Sequence, residues 1–156
     1  MLSITAQYAI RALVSLAGHP YGASVLGRDL ARDGKIPRNY LAKILLALKN
    51  AGILGTARGS QGGYWLVRNP DSLKLVEVVG IFDHISDPPP CLLGKHELCM
   101  KTDPCSAHGN WHKIRDSYLQ FLQGTTLADV AALSPEEREK TPLLKTDSSG
   151  TEVPSE

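Results

Sequence analysis

Cysteine is scarce in this chain: three in 156 residues, all between positions 91 and 105. An odd number argues against a self-contained disulfide framework. No apolar run approaches the length of a membrane span, and no hydrophobic segment at the N-terminus suggests export. The expectation is therefore a cytoplasmic protein with no membrane partner, whose thiols stay reduced. In that setting cysteines are more often metal ligands or redox sensors than staples. Internal repeats are absent, and so is any catalytic loop motif. A nucleophilic enzyme using Cys105 with His108 would need an oriented base and a pocket. Without such a motif the chain is expected not to be an enzyme.

The near-absence of net charge, +1 overall, hides a division. Residues 1–68 carry nine Lys/Arg against Asp29 and Asp33, a net of +7. Residues 69–156 carry eight against fourteen Asp/Glu, a net of −6. A basic front half on a nearly neutral chain is the footprint of a polyanion binder.

Apolar spacing organises that basic half. Residues 3–17 read as a helix, with Ser3 or Thr5 as cap and a stripe of Ala9, Ile10, Leu13, Leu16 and Ala17. Val25, Leu26, Leu30 and Ala31 read as a short second helix capped by Ser24, with Gly34 supplying the tight turn after it. Pro37 opens a third helix that closes at Gly52. Its Leu41, Ile44, Leu45 and Leu48 follow the i, i+3, i+4, i+7 rule and face a core. Asn39 and Lys43 fall opposite, Arg38 lies in the first turn, and Leu46 projects toward the polar face without an explanation. This is a helix-turn-helix pattern. Ile53–Arg58 and Tyr64–Val67 then read as two strands joined by a glycine-rich loop, a hairpin placed where a wing belongs.

Leu75, Val78, Val79 and Phe82 predict a short amphipathic helix packed under the wing. The cysteines follow, spaced C-x7-C-x5-C: Cys91, Cys99 and Cys105. Asp103-Pro104 reads as N-cap and first residue of a helix. That start puts Cys105 in the first turn, where the dipole lowers a thiol's pKa, and His108 on the same face at i+3. The spacing suits a metal or cluster site; the bland alternative is three small buried hydrophobes. Trp111, Ile114, Tyr118 and Phe121/Leu122 recur along a helix running to about Gln123, a stripe suited to a partner helix. Thr126 caps a last short helix through Leu133. From Ser134 the composition predicts a disordered polar tail.

The expected fold class is thus mainly α with a small β-hairpin wing: a winged helix-turn-helix domain plus a long dimerisation helix. The expected divisions are a DNA-binding domain (1–80), a cluster-binding loop region (81–108), a dimerisation helix with a short C-terminal helix (109–133), and the tail (134–156). The DNA-binding candidates are Arg28, Arg38, Asn39, Tyr40 and Lys43, with Arg58, Gly59, Ser60, Gln61, Gly62, Gly63 and Tyr64 in the wing.

Residues 1–133 resemble the IscR/NsrR-type (Rrf-type) family of bacterial winged-helix transcription regulators. The resemblance rests on Tyr8-Ala-Ile-Arg-Ala-Leu13, Tyr40-Leu41, Ala51-Gly-Ile-Leu54, Arg58-Gly-Ser-Gln-Gly-Gly-Tyr64, the three cysteines and Phe121-Leu-Gln-Gly-Thr-Thr-Leu127. It implies homodimers on near-palindromic double-stranded DNA operators, and the chain is read as a repressor. It also implies an iron–sulfur cluster, 2Fe-2S or 4Fe-4S, sensing iron, redox or nitrosative state. The C-x7-C-x5-C spacing is similar to the iron-responsive, RirA-like branch, and Cys105-Ser-Ala-His108 matches the C-x2-H end of IscR-like members. On that likeness Cys91, Cys99 and Cys105 bind iron, with His108 as fourth ligand and His96 the alternative. His19, His84 and His112 are read as surface or packing residues. Two positions depart from the family. Gln7 stands where nitric-oxide sensors carry a carboxylate ligand, and Ala42 where IscR-like proteins carry an acidic residue. Structural zinc or a thiol switch is the competing use of the same residues.

Overall fold

The computed structural model describes residues 2–59, 62–83, 85 and 106–131. Its organising element is helix α1 (Ile4–Ala17), which begins where the sequence predicts. The Ala6 N–H donates to the Ser3 hydroxyl at 3.1 Å, satisfying one of the helix's unpaired first-turn donors. Ala6, Ala9, Ala12, Leu13 and Leu16 are all buried. Three of those five are alanines, and their small side chains let neighbouring backbones come close on several sides. Helices α2 (Gly27–Asp33) and α3 (Arg38–Asn50) pack against α1 and against each other. On α3 the buried set is Leu41, Ile44, Leu45 and Leu48, the four residues the spacing selected.

Two details of the helix-turn-helix differ from the sequence reading. Ser24 does not cap α2, whose N-cap is Leu26 with no side-chain bond. Val25 instead forms an isolated β-bridge with Tyr64, each N–H donating to the other's carbonyl at 2.9 Å. A branched residue expected inside a helix thus extends the wing. In the turn between α2 and α3, the residue with positive φ is Lys35 (+50°), not Gly34. Gly34 is needed for space: a Cβ there would lie 2.8 Å from Ile36 Cδ1 and 3.0 Å from the Leu30 carbonyl. Gly52, at φ +72°, closes α3 as expected, and the Ile53 N–H returns to the Leu48 carbonyl at 3.0 Å.

The wing is an antiparallel pair, β1 (Leu54–Ala57) and β2 (Gly63–Leu66), registered Leu54 to Leu66 and Ala57 to Gly63. Leu54 and Leu66 anchor its base in the main core. A 3-10 turn (Pro70–Ser72) then leads into α4 (Leu75–Phe82). Expected under the wing, α4 packs on α1, α3 and the long helix α5 (His108–Gly124). Val78 enters the main core, whereas Leu75 and Val79 meet Ala6 and Leu122 in a second cluster. Helix α6 (Leu127–Ala131) returns to α1. It is capped as read, with the Asp129 N–H donating to the Thr126 hydroxyl (3.2 Å) and that hydroxyl to the Asp129 carboxylate (2.7 Å). Helix α5 begins at His108, after a turn at Ser106 and Ala107. The expected helix start at Asp103-Pro104, with Cys105 in its first turn, lies outside the described residues. Cys91, Cys99, Cys105, His84, His96, Ser60, Gln61 and the tail from Ser134 lie outside the described residues.

One ion pair ties the segment after the wing to α4. Arg68 grips Glu77 with both guanidinium nitrogens, at 2.6 and 3.3 Å, and the Lys74 N–H donates to the same carboxylate at 3.1 Å. The Arg68 hydrogen bond, helped by the Lys74 N–H against partial burial, holds Glu77 below the usual carboxylate range. A carboxylate lowered in the folded state adds stability above its unfolded pKa, and that stability is lost as pH falls through the folded value. Both side chains are more than a third exposed, at 37% and 40%, so screening keeps the contribution below about 1 kcal/mol. Glu77→Gln is expected to lose that small amount at pH 7. Denaturant titrations should show the gap to the parent closing at acid pH; an undiminished gap there would contradict the assignment.

Candidate nucleic-acid interface

Burying one side of α3 leaves the other in solvent. Arg38, Asn39, Tyr40, Ala42 and Lys43 are all exposed, and Leu46 stands 58% exposed beside them. Arg28 on α2 and Arg58 at the hairpin tip are exposed as well. A groove of about 170 Å³ runs between Arg28, Arg38 and Tyr64, floored by Leu41, Ala42 and Leu45. It brings residues of α2, α3 and the wing to one place. The wing residues do not behave alike. Gly59 is exposed, whereas Gly62 and Gly63 are buried. Tyr64 is half-buried and bonded to Val25 through its backbone, so it joins the wing to the α2 end of the domain.

The sequence reading missed two residues of α1 on this side of the molecule. Tyr8 packs edge-on against Tyr40, with ring centroids 6.0 Å apart and planes at 62°. The Arg11 guanidinium lies 5.9 Å from the Tyr8 ring centroid, within cation–π reach. Arg11, Tyr8 and Tyr40 form a continuous row from α1 to the exposed face of α3. The available signal was the i, i+3 spacing of Tyr8 and Arg11, outside the apolar stripe of their helix.

On α5 the His108 and His112 rings lie 4.3 Å apart, one helical turn from each other. Among the described residues no group of three or more His, Cys, Asp or Glu side chains could hold a metal ion. The donor chemistry of residues 91–108, three thiols and an imidazole, nonetheless suits a metal or an iron–sulfur cluster. A second observation fits such a group. The Trp111 indole nitrogen, three residues beyond His108, is buried and has no acceptor among the described residues.

A three-helix core, a helix-turn-helix with a polar outer face and an adjoining hairpin define a winged-helix protein of the DNA-binding class. Among the described residues no helix is long and apolar enough to cross a membrane. The chain belongs to the Rrf2 family, whose model, described as an iron-dependent transcriptional regulator, matches residues 2–133. It is 30% identical over 131 residues to a protein of Aquifex aeolicus (strain VF5) itself predicted to be an HTH-type transcriptional regulator. That alignment covers 83% of this chain and 90% of the relative. The structure of CymR, the global cysteine regulator of B. subtilis, has the same fold, with a TM-score of 0.72 at 24% identity, over 86% of this chain and 98% of that one. T. potens IscR superposes with a TM-score of 0.66 at 26% identity, over 85% and 86% of the two chains. The chain is thus a helix-turn-helix transcription regulator and not an enzyme.

The row across Tyr8 predicts a measurable coupling. Edge-to-face aromatic pairs contribute about 0.5–1.5 kcal/mol beyond the area they bury. A double-mutant cycle on Tyr8→Ala and Tyr40→Ala is expected to give a coupling in that range by equilibrium unfolding. Strict additivity would mean that the two rings do not support each other in solution.

Proposed function

We propose that this regulator is a cytoplasmic, homodimeric repressor of near-palindromic operators whose DNA affinity is set by an iron–sulfur cluster. The observation that carries the DNA-binding part is the exposed row Arg38, Asn39, Tyr40 and Lys43 on a helix whose opposite side is buried. In this reading α3 enters the major groove and Arg58 with the Gly59–Tyr64 loop follows the adjoining minor groove or phosphates. Arg28 and Arg11 add phosphate contacts on either side. Leu46 and Ala42 finally have a use, since apolar groups in the major groove meet thymine methyls. With Ala42 in place of an acid, operator choice does not rest on a carboxylate at that position.

Cys91, Cys99, Cys105 and His108 would hold the cluster. The family's iron-dependent description supports this, as does the thiol-rich segment running directly into α5. When bound, a cluster supplies an iron-dependent, oxidisable centre; mixed thiolate and imidazole ligation raises its potential above that of an all-thiolate set. A thiol switch or zinc at the same residues is the second reading. It is favoured by the fold shared with a cysteine regulator and by a donor set that equally suits tetrahedral zinc. Anaerobic purification with iron and acid-labile sulfide analysis separates them. The proposal expects both elements in comparable amounts, visible absorption, and an operator affinity that changes when iron is removed. A colourless, zinc-containing protein with full operator affinity would contradict it.

Residues 81–108 would then form the sensing region between the DNA-binding part, 1–80, and a dimerisation helix within 109–133. Ile114 and Phe121 support the dimer: they stand 63% and 55% exposed on α5, which meets the rest of its own chain mainly through α4. The expected stripe divides, because Tyr118 and Leu122 turn inward toward Ala6, Leu75 and Val79. Changing Ile114 and Phe121 together to Glu is expected to give folded monomers by sedimentation, with operator binding lost. A dimeric double variant would move the interface elsewhere.

A further inference from the structure

Buried donors are rarely left alone. A buried indole N–H usually finds an acceptor, and leaving one unpaired costs about 1–3 kcal/mol. Trp111 departs from this: its Nε1 is buried, and among the described residues nothing accepts from it. Its position narrows what the missing acceptor can be. Trp111 lies in the first turn of α5, its own backbone N–H donating to the Ala107 carbonyl at 2.9 Å, so the helix start is formed. At i+3 it shares a helix side with His108, whose ring lies 4.3 Å from that of His112 with the planes tilted by 46°. The stretch leading into this turn, residues 91–105, carries every thiol of the chain.

We infer that the Trp111 indole N–H donates a hydrogen bond to the sulfur-bearing group held by Cys91, Cys99, Cys105 and His108, either a thiolate or a cluster sulfide. Trp111 is therefore a positioning residue for that centre, and the inference rests on the cluster reading above. Sulfur carrying negative charge is a large acceptor, and it gains most from a donor kept away from water. Reduction adds an electron, which makes the sulfurs more negative and the hydrogen bond stronger. The N–H thus favours the reduced form and raises the reduction potential. His112, whose ring lies 4.3 Å from that of His108, packs beside the same helix turn.

Trp111→Phe removes the N–H and keeps most of the ring. In the anaerobically reconstituted full chain it is expected to retain iron and sulfide at parent levels while its midpoint potential becomes more negative. A loaded variant with the parent's potential would overturn the inference and leave the cluster reading intact. A parent that takes up no iron and sulfide would overturn the cluster reading, and this inference with it. A second measurement does not depend on the variant folding. Only two tryptophans are present, so in Trp65→Phe the single indole N–H signal belongs to Trp111. On loading the thiols with diamagnetic cadmium, that proton is expected to move downfield and exchange more slowly with water. An unmoved, fast-exchanging signal in the cadmium-loaded protein would overturn the inference.

Discussion

The burial of one side of α3 against α1 is the constraint on which the rest depends. Leu41, Ile44, Leu45 and Leu48 cannot all reach the core unless α3 is held in one rotation about its axis. That rotation also decides which residues meet the solvent, so the row Arg38, Asn39, Tyr40 and Lys43 is a consequence of hydrophobic packing. Each of the four buried side chains removes apolar area equivalent to about 1.5–3 kcal/mol, far more than any single ion pair at the surface. Electrostatics then acts on a face that packing has already aimed. The Tyr8–Tyr40 contact adds a second hold on the same helix from its exposed edge.

α1 links this face to the thiol region. Its N-cap residue, Ser3, donates its backbone N–H to the Asp83 carboxylate at 2.9 Å, at the point where α4 ends and the chain heads toward the cysteines. Tyr118 of α5 lies close enough to Asp83 that burial, and then that carboxylate, raise its phenol pKa. The return path is also tied down: the Leu75 N–H bonds the Thr125 carbonyl at 2.9 Å, and the Leu127 N–H bonds the Leu73 carbonyl at 2.8 Å. Residues on both sides of the thiol segment are thus fastened to the helix that supports α3. Under the proposed function this is the physical route by which a change at sulfur reaches the DNA-binding face.

Much of this was legible in the sequence where one local signal dominates. The Ser3 and Thr126 caps, the Gly52 stop, the buried residues of α3 and the hairpin all follow from spacing and single-residue chemistry. The reading failed where a distant partner decides. Ser24 and Val25 look like a helix start, but the backbone of Tyr64, far along the chain, claims Val25 for a β-bridge. Gly34 was read as supplying the tight turn, whereas the positive φ falls on Lys35 and Gly34 makes room for Ile36. The stripe on α5 could not reveal that α4 would take Tyr118 and Leu122 and leave Ile114 and Phe121 outside. Arg11 had no place among the DNA-binding candidates until the fold set it over Tyr8, in line with Tyr40.

The central claim is that the α3 face and the wing together read DNA. The most direct measurement is a titration of an operator selected from random duplexes, at several salt concentrations, with the parent, Lys43→Ala and Arg58→Ala. A phosphate contact predicts a salt slope smaller by about 1 for the variant that loses it, and a base or minor-groove contact a loss of about 1–3 kcal/mol with relaxed sequence preference. Each variant should show at least one of these effects while its unfolding curve stays that of the parent. Unchanged affinity, slope and preference in both variants would contradict the account.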